Sequence, residues 1–498
     1  VGDIGDGVAA LLAARPEYER AERYYDGDMA EVVGNPFLRR LYARMGDKYR
    51  LNFAAVPVDV VAARLEVASV TVADESDTSV STEADNRLQE IWERNDLLNE
   101  IPDWIHAACE YGDAFIVVWE DPEDENAVTV DYNSPCVMRI VYDSENGRRP
   151  LYAVKMWADA RNKVRRLNLF YADRIERYFQ PLDSANPQDE TAWKPYESES
   201  GADDSVILNK YGFPVFHLRT GKPYGKSVHR NAYDPQDGLN KITVGMLTNI
   251  DYTTTPQRYA LGLPQTDTDD DGGDDFLADD NSSEQVSGNP GSGLKAGPGE
   301  LWWLQGAKGA GQFDPATPDG YLKPAEFLIR AMAQLTGVPM HYFDPMGDVP
   351  SGESLRAADA PLDKMAARLM QMFSGPIGAA LEFGLLIMGT PNARVDVRWK
   401  SAQSYDDVDG WNVVLLKLKA GVPARQALLE AGYAIDQVDE WLAGSGDSNM
   451  VQRVSLLAEI ATAIRDMSAG VTAGTIDAST VQTTIDALLG NLNDDSAN

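Results

Sequence analysis

The chain has 498 residues, 44% of them hydrophobic and 24% charged, with only two cysteines and a formal net charge of −34. That length allows about three domains and a large core, and two cysteines point to a reducing compartment without a disulfide framework. The charge disfavours a protein that grips nucleic acid through a broad basic surface, but not one that surrounds DNA without gripping it.

The first stretch, VGDIGDGVAALLAARPEYER, has no basic region ahead of an apolar run and does not read as a signal peptide. No run approaches about 18 consecutive apolar residues, so no membrane span is expected. Residues 8–25 carry Leu11, Leu12, Tyr18, Ala21 and Tyr25 near helical spacing. Pro16 is expected to split that helix, and Gly27 to close it. NFAAVPVDVVAARLEVASVTV predicts a helix passing into a strand. A second helix starts at Ser81, with Glu83 and Asp85 in its first turn. EIPDWIHAACEYGDAFIVVWED predicts a helix ending near Gly112, then a buried strand over 114–119. Residues 128–179 alternate as strands separated by turns. The first part is therefore α+β with a meandering antiparallel sheet.

Residues 234–252 predict a helix with Leu239, Ile242, Met246 and Ile250 on one stripe. Residues 266–293 are acidic and rich in Gly and Ser, and read as a solvated loop. Two short β segments and a helix over 324–335, with proline near its start, come next. The Gly- and Pro-rich stretch 338–350 precedes a long apolar helical pattern over 351–389. Pro361 and Pro376 within it either kink one helix or end separate short ones. ARVDVRW reads as a strand. From residue 405 onward nearly everything reads helical.

Enzyme signatures mostly fail. GKPYGKS, residues 221–227, resembles a phosphate-binding loop but has three residues, not four, between its first Gly and the Gly-Lys pair. DTDDDG opens like a calcium loop at Asp267, but position twelve is Ala278, not a bidentate Glu. His106, His217, His229 and His341 are scattered, and none stands at metal-ligand spacing from a Cys or another His. PARQALLEAGYAIDQVDEWL is too poor in basic residues for a DNA-reading helix pair, and a structural hairpin is expected. No catalytic residue, metal or cofactor is assigned.

RYYDG, NFAAVPVDVVAARLEV, ACEYGDAFIVVW, DGLNKITVGMLTNIDYTTTPQRYALG, KAGPGELWWL, LTGVPMHYFDP, SGESLRAADAPL and KAGVPARQALLEAGY occur in that order. Together they resemble the portal (head-to-tail connector) proteins of tailed bacteriophages of the long-tailed, siphovirus kind. The resemblance covers essentially the whole chain. Its main departure is the acidic insert 266–293. The resemblance implies the portal fold: a wing of helices plus antiparallel sheet, a two-helix stem, a clip, a kinked long helix and an all-helical crown. Mapped by motif, the wing covers 1–225, the first stem helix 226–253, and the clip 254–321. The second stem helix covers 322–337 and a tunnel loop 338–350. The long helix follows over 351–390, a strand returning to the wing over 391–403, and the crown over 404–498.

The same resemblance implies a ring of about twelve subunits around double-stranded DNA. It implies docking of the terminase packaging motor, the major capsid protein with its scaffold, and a head-to-tail adaptor, with no membrane. Assembly would occur in the host bacterial cytoplasm, at the unique vertex of what becomes the virion. The channel would be lined by Met340, His341, Tyr342, Phe343 and Asp348 of the tunnel loop. Lys241, Arg330, Arg356, Lys364 and Arg368 are the candidate channel cations. A conduit needs weak contact, because each phosphate contact adds affinity and would stall DNA. Two alternatives remain: a metal-dependent nuclease or hydrolase using the clustered Asp residues, and a capsid adaptor ring that passes no DNA.

Overall fold

The computed structural model describes residues 2–28, 51–72, 78–183, 186–197, 204–254, 258–261, 309–312, 319–344, 352–402, 407–430 and 438. The chain divides into two compact units rather than the three that length suggests. Unit one joins Val1–Asp28, Asn52–Tyr233 and Ala333–Asn498; unit two joins Met29–Leu51 and Asp234–Met332. The count falls because the described segments before Tyr233 and after Ala333 share one unit.

Unit one opens with helix α1, Gly2–Tyr25, which runs unbroken through Pro16. The expected split does not occur. Val8, Leu11, Tyr18 and Ala21 bury on both sides of the proline, and that packing outweighs one lost backbone hydrogen bond. Gly27, at φ +76°, ends the helix as expected. Helix α2, Val56–Ala63, leads into strand β1, Val67–Val72, and is followed by helices α3, Thr78–Arg94, and α4, Leu97–Tyr111.

Strands β2, Asp113–Asp121, and β3, Asp124–Asn133, pair with β10, Val215–Arg219, in the antiparallel order β10-β2-β3. A second antiparallel sheet runs in the order β4-β5-β6-β7-β8. Its strands are Met138–Tyr142, Pro150–Asp159, Val164–Phe170, Arg174–Pro181 and Lys194–Pro195, and β9, Val206–Leu208, also pairs with β7. The period of two explains the stacking. Tyr152, Val154 and Met156 of β5 face α1 with Leu167 and Leu169 of β6. Ala153 points the other way, into a core with Phe115, Val117, Met138, Ile140 and Val215. The opposite face of the three-stranded sheet meets the long helix α7, Gly352–Ile387. Phe216 lies edge-on to Phe383, and Gly384 sits close to Val118 and Val128. Unit one is thus layered helix, sheet, sheet, helix.

Helix α7 is continuous through Pro361 and Pro376, so the separate short helices do not occur. Helix α7 contains an 18-residue stretch of mean hydropathy 1.3, long and apolar enough by composition to cross a bilayer, although no unbroken apolar run in the sequence reaches that length. Here Leu362, Phe373, Ile377 and Leu385 are buried in the core of unit one. Strand β13, Val395–Trp399, pairs antiparallel with β1 in a two-stranded sheet of its own. Trp399 Nε1 donates to Ser374 Oγ at 2.7 Å, tying that strand to the long helix. Helices α8, Asp407–Lys419, and α9, Ala424–Glu430, follow. The rest of the expected crown, beyond Val438, lies outside the described residues.

In unit two, helices α5, Tyr233–Thr254, and α6, Asp319–Thr336, run against each other. A Cβ on Gly238 would stand 2.9 Å from Leu328, and one on Gly245 3.5 Å from Tyr321. Seven residues forward on one helix match seven backward on the other, so the pair is antiparallel. The two glycines lie on the close-approach face. Strands β11, Arg258–Leu261, and β12, Gly309–Gln312, form a short ribbon. The acidic insert 266–293 and its calcium-loop resemblance lie outside the described residues.

Candidate channel segment and its anchor

The stretch between α6 and α7 is described through Asp344; Asp348 lies outside the described residues. After Val338 and Pro339 the chain makes one turn of 3₁₀ helix, Met340–Tyr342. Proline at that position fixes the entry angle of the turn. Phe343 is buried and faces Phe53, with ring centroids 6.4 Å apart. Met340, His341 and Tyr342 are half-buried. The aromatic part of the segment therefore packs into unit one.

An arginine that the sequence did not flag holds this turn. Arg64, just past the end of α2, donates through Nη2 to the Tyr342 hydroxyl at 2.8 Å and to Asp359 Oδ2 at 2.9 Å. Its Nη1 donates to Asp363 Oδ1 at 3.0 Å and to the Ala402 carbonyl at 2.7 Å. Asp359 and Asp363 stand four apart on one face of α7. One planar guanidinium thus joins α2, the turn, the start of the long helix and the chain after β13. Burial raises the Asp363 carboxyl, while Arg64 pulls it back down. His341 Nε2 lies 3.4 Å from Asp359 Oδ1, near enough for an ion pair when the ring is protonated. At the other end of α7, Arg87 donates to the Met388 carbonyl and, at 2.8 Å, to Thr390 Oγ1. Cationic hydrogen bonding at a helix C-terminus satisfies carbonyls that lack partners.

The five candidate cations do not come together in one unit. Lys241 and Arg330 belong to unit two, while Arg356, Lys364 and Arg368 belong to unit one. All five are exposed. Arg330 reaches Glu326 at 3.8 Å, one turn away on its own helix. Such an exposed pair contributes only a few tenths of a kcal/mol, roughly.

A second polar network is buried in unit one, where α1 meets the two sheets. Tyr18 donates to Asp113 Oδ2 at 2.8 Å, and His217 Nε2 meets Asp113 Oδ1 at 2.8 Å. The His217 Nδ1 is 2.8 Å from the Tyr142 hydroxyl. Burial lowers the His217 basicity, so the ring is neutral with its proton on Nε2, and Tyr142 donates to Nδ1. The Gly225 N–H also donates to Asp113 Oδ1, at 2.7 Å. This bond closes the turn that resembled a phosphate loop. A Cβ on Gly225 would fall 1.9 Å from the Gly112 carbonyl oxygen, so two backbones meet there face to face. The network staples α1, both sheets and the turn together, and carries no substrate access.

A sequence model of phage portal proteins, SPP1 Gp6-like, matches residues 9–405. No curated protein matches the chain. Among solved structures, the neck of an empty gene transfer agent particle computed with C6 symmetry is 15% identical; the match covers 78% of this chain and 90% of that one, with a TM-score of 0.41. The neck of a native particle computed with C12 symmetry is 13% identical, covering 76% and 91%, also at 0.41. The virion of a native gene transfer agent particle is 13% identical, covering 74% and 83%, at 0.37.

Proposed function

Because the chain belongs to the SPP1 Gp6-like family of phage portal proteins, we propose that it is one subunit of a closed ring around a channel for double-stranded DNA. It is a portal protein, and its family is structural rather than enzymatic. The family match across residues 9–405 is the observation that carries the reading. Unit two supports it physically: its antiparallel helix pair leaves Phe327 69% and Leu322 48% exposed on the single subunit. In a ring, neighbouring copies would cover these side chains.

In this reading the helix pair is the stem, the two stacked sheets are the wing, and α8 and α9 begin the crown. Arg64 holds the root of the tunnel loop rigid, so the part that meets DNA is the tip, with Asp348, rather than Phe343. Loops positioned by a rigid scaffold are suited to such contact. The terminase motor, the capsid protein with its scaffold and the adaptor are the partners, and ATP hydrolysis belongs to the motor. The subunit is assembled in the host bacterial cytoplasm and ends in the virion. A clustered-Asp hydrolase is not favoured by the family match.

End-on particle images of the purified chain test the ring. A closed ring of about twelve copies is expected. A monomer that cleaves DNA in a divalent-dependent way would overturn the reading. Asp348→Lys tests the tip. It adds one cation per subunit, so packaging should slow, most of all at low salt, while rings still form. Normal packaging at low salt would remove the loop tip from the channel.

A further inference from the structure

We propose that a cleft in unit one, between the turn 220–228 and the middle of α7, binds an acidic peptide segment that carries one apolar side chain. The cleft has a volume of about 330 Å³, and its lining includes Val228, Met365 and Leu369 below and Lys222, Lys226 and Arg368 at the mouth. Nothing in this assignment depends on the portal reading.

The charge pattern is the first argument. The chain has 78 acidic residues against 44 Lys and Arg. Several arginines elsewhere in unit one are spent on carboxylates: Arg64 on Asp359, Arg94 on Asp121, Arg166 on Asp159. Lys222, Lys226 and Arg368 are exposed, and among the described residues none of them forms an ion pair. Three cations without carboxylate partners around one concavity invert the local field on a strongly anionic protein. Such a spot attracts acidic partners that the rest of the surface repels.

The backbone argues against a phosphate ligand. A phosphate loop aims its N–H groups at the ligand. Here the Gly225 N–H goes to Asp113 Oδ1, the Lys226 N–H to Thr220 Oγ1 at 3.0 Å and the Val228 N–H to the Cys109 carbonyl at 3.0 Å. Recognition falls to the side chains. An arginine fork and two lysine ammoniums suit carboxylates spaced along a peptide. The apolar floor has no use for a phosphate but accepts a Leu or Phe side chain, and methionine adapts its shape to what enters. The lysine stems extend that apolar lining.

The test is fluorescence anisotropy on the full chain at low salt, with a labelled ten-residue peptide of alternating Asp and Leu. Binding should weaken at least about tenfold in Lys222→Glu/Lys226→Glu and again in Arg368→Glu, as expected for lost charge-assisted pairs. All three side chains are exposed, so the melting temperature should not move. Met365→Asp should weaken binding with the rim intact, and an alternating Asp and Ser peptide should bind poorly. The proposal fails if the parent does not bind the peptide, or if the charge-reversed variants bind it as well as the parent. Equal binding of the Asp and Ser peptide would reduce the cleft to a charge patch and also overturn it. Displacement of the peptide by a short duplex DNA, with the same sensitivity to the three reversals, would assign the cleft to nucleic acid instead. Light scattering on the same samples reports ring formation separately, so failure of this site and failure of the ring are distinguishable.

Discussion

Unit one has a deep layered core, although it too leaves Leu98, Leu208 and Leu416 exposed, whereas the described part of unit two has a shallow one. In unit one the largest side chains, among them Trp104, Phe115 and Phe373, are shut away between sheets and helices. In unit two the helix pair buries Leu239 and Met332 and leaves Phe327 and Leu322 in the open. A layered core of sheets and helices can stand alone, whereas two helices side by side bury one face each and gain too little to offset the cost of ordering them. The difference predicts where mutations act: on folding in unit one, on association in unit two.

The largest expected effect breaks unit one at its charged staple. Arg64→Ala leaves Asp359 and Asp363 facing each other with their cation gone, both largely buried. Removing one partner of a buried pair costs about 3–5 kcal/mol. Chemical denaturation should show that loss with the ring prevented, for example at high dilution. A loss below about 1 kcal/mol would mean that water reaches the site and that the long helix is not held there.

A smaller effect sharpens the contrast from the other side. Phe327→Ser should leave the melting of the isolated subunit nearly unchanged, because the ring contacts little within its own unit. It should weaken ring formation by about 2–3 kcal/mol per contact, the usual cost of losing an aromatic anchor. Sedimentation across a concentration series would read this. Full assembly at the parent's concentration would place the ring of Phe327 on an outer surface with no copy over it.

Unit one also contains two titratable groups that pull in opposite directions. Burial pushes the Glu110 carboxyl up to about 7, with Asp26, Glu22 and Asp59 adding to it. Its folded value lies above its unfolded one, so its ionisation weakens the fold as pH rises from about 4.5 to about 7. Burial pushes His229 down to about 4, so the unfolded chain binds its proton first and stability rises with pH between about 4 and 6.5. The two slopes offset each other in the parent. Glu110→Gln should expose the histidine slope and raise stability above pH 7 by about 2 kcal/mol, after allowing for solvent screening. A variant no more stable than the parent at pH 8 would show that Glu110 is solvated in the folded protein.

The local pattern was legible where one face of an element is buried and the other is not. The alternation at Tyr152, Val154 and Met156 marks a strand because each second side chain enters the α1 core. The helix-to-strand switch at Gly112 was readable for a similar reason: a left-handed residue, at φ +92°, ends the helix. Pro16 misled, since a propensity penalty says nothing of the packing that overrides it. Arg64 was illegible because its two aspartates lie 295 and 299 residues away. The spacing of Asp359 and Asp363 hinted at a shared cation but not at which one. For the stretch 338–350, the sequence could name the aromatic residues but not say which face the core. Phe343 turned inward because Phe53 stands opposite.

The smallest expected effect lies within unit two and is close to zero. Residues 267–280 contain eight aspartates and, apart from Ala278, only Phe276 and Leu277 as apolar side chains. Such a composition offers little apolar surface for burial. Deleting it removes eight negative charges from a chain at −34 and should shift the subunit's melting by less than about 2 °C. Any gain should come from relieved self-repulsion and vanish at high salt. The incomplete calcium loop at Asp267 sets the contrary outcome. A metal held there would stabilise the folded chain by mass action, so adding calcium would raise the parent's melting temperature and leave the deletion unchanged. Ala278 at the position of the bidentate glutamate argues for no calcium shift in either protein. If calcium does separate the two curves, unit two has a core of its own after all, built on a metal rather than on apolar burial.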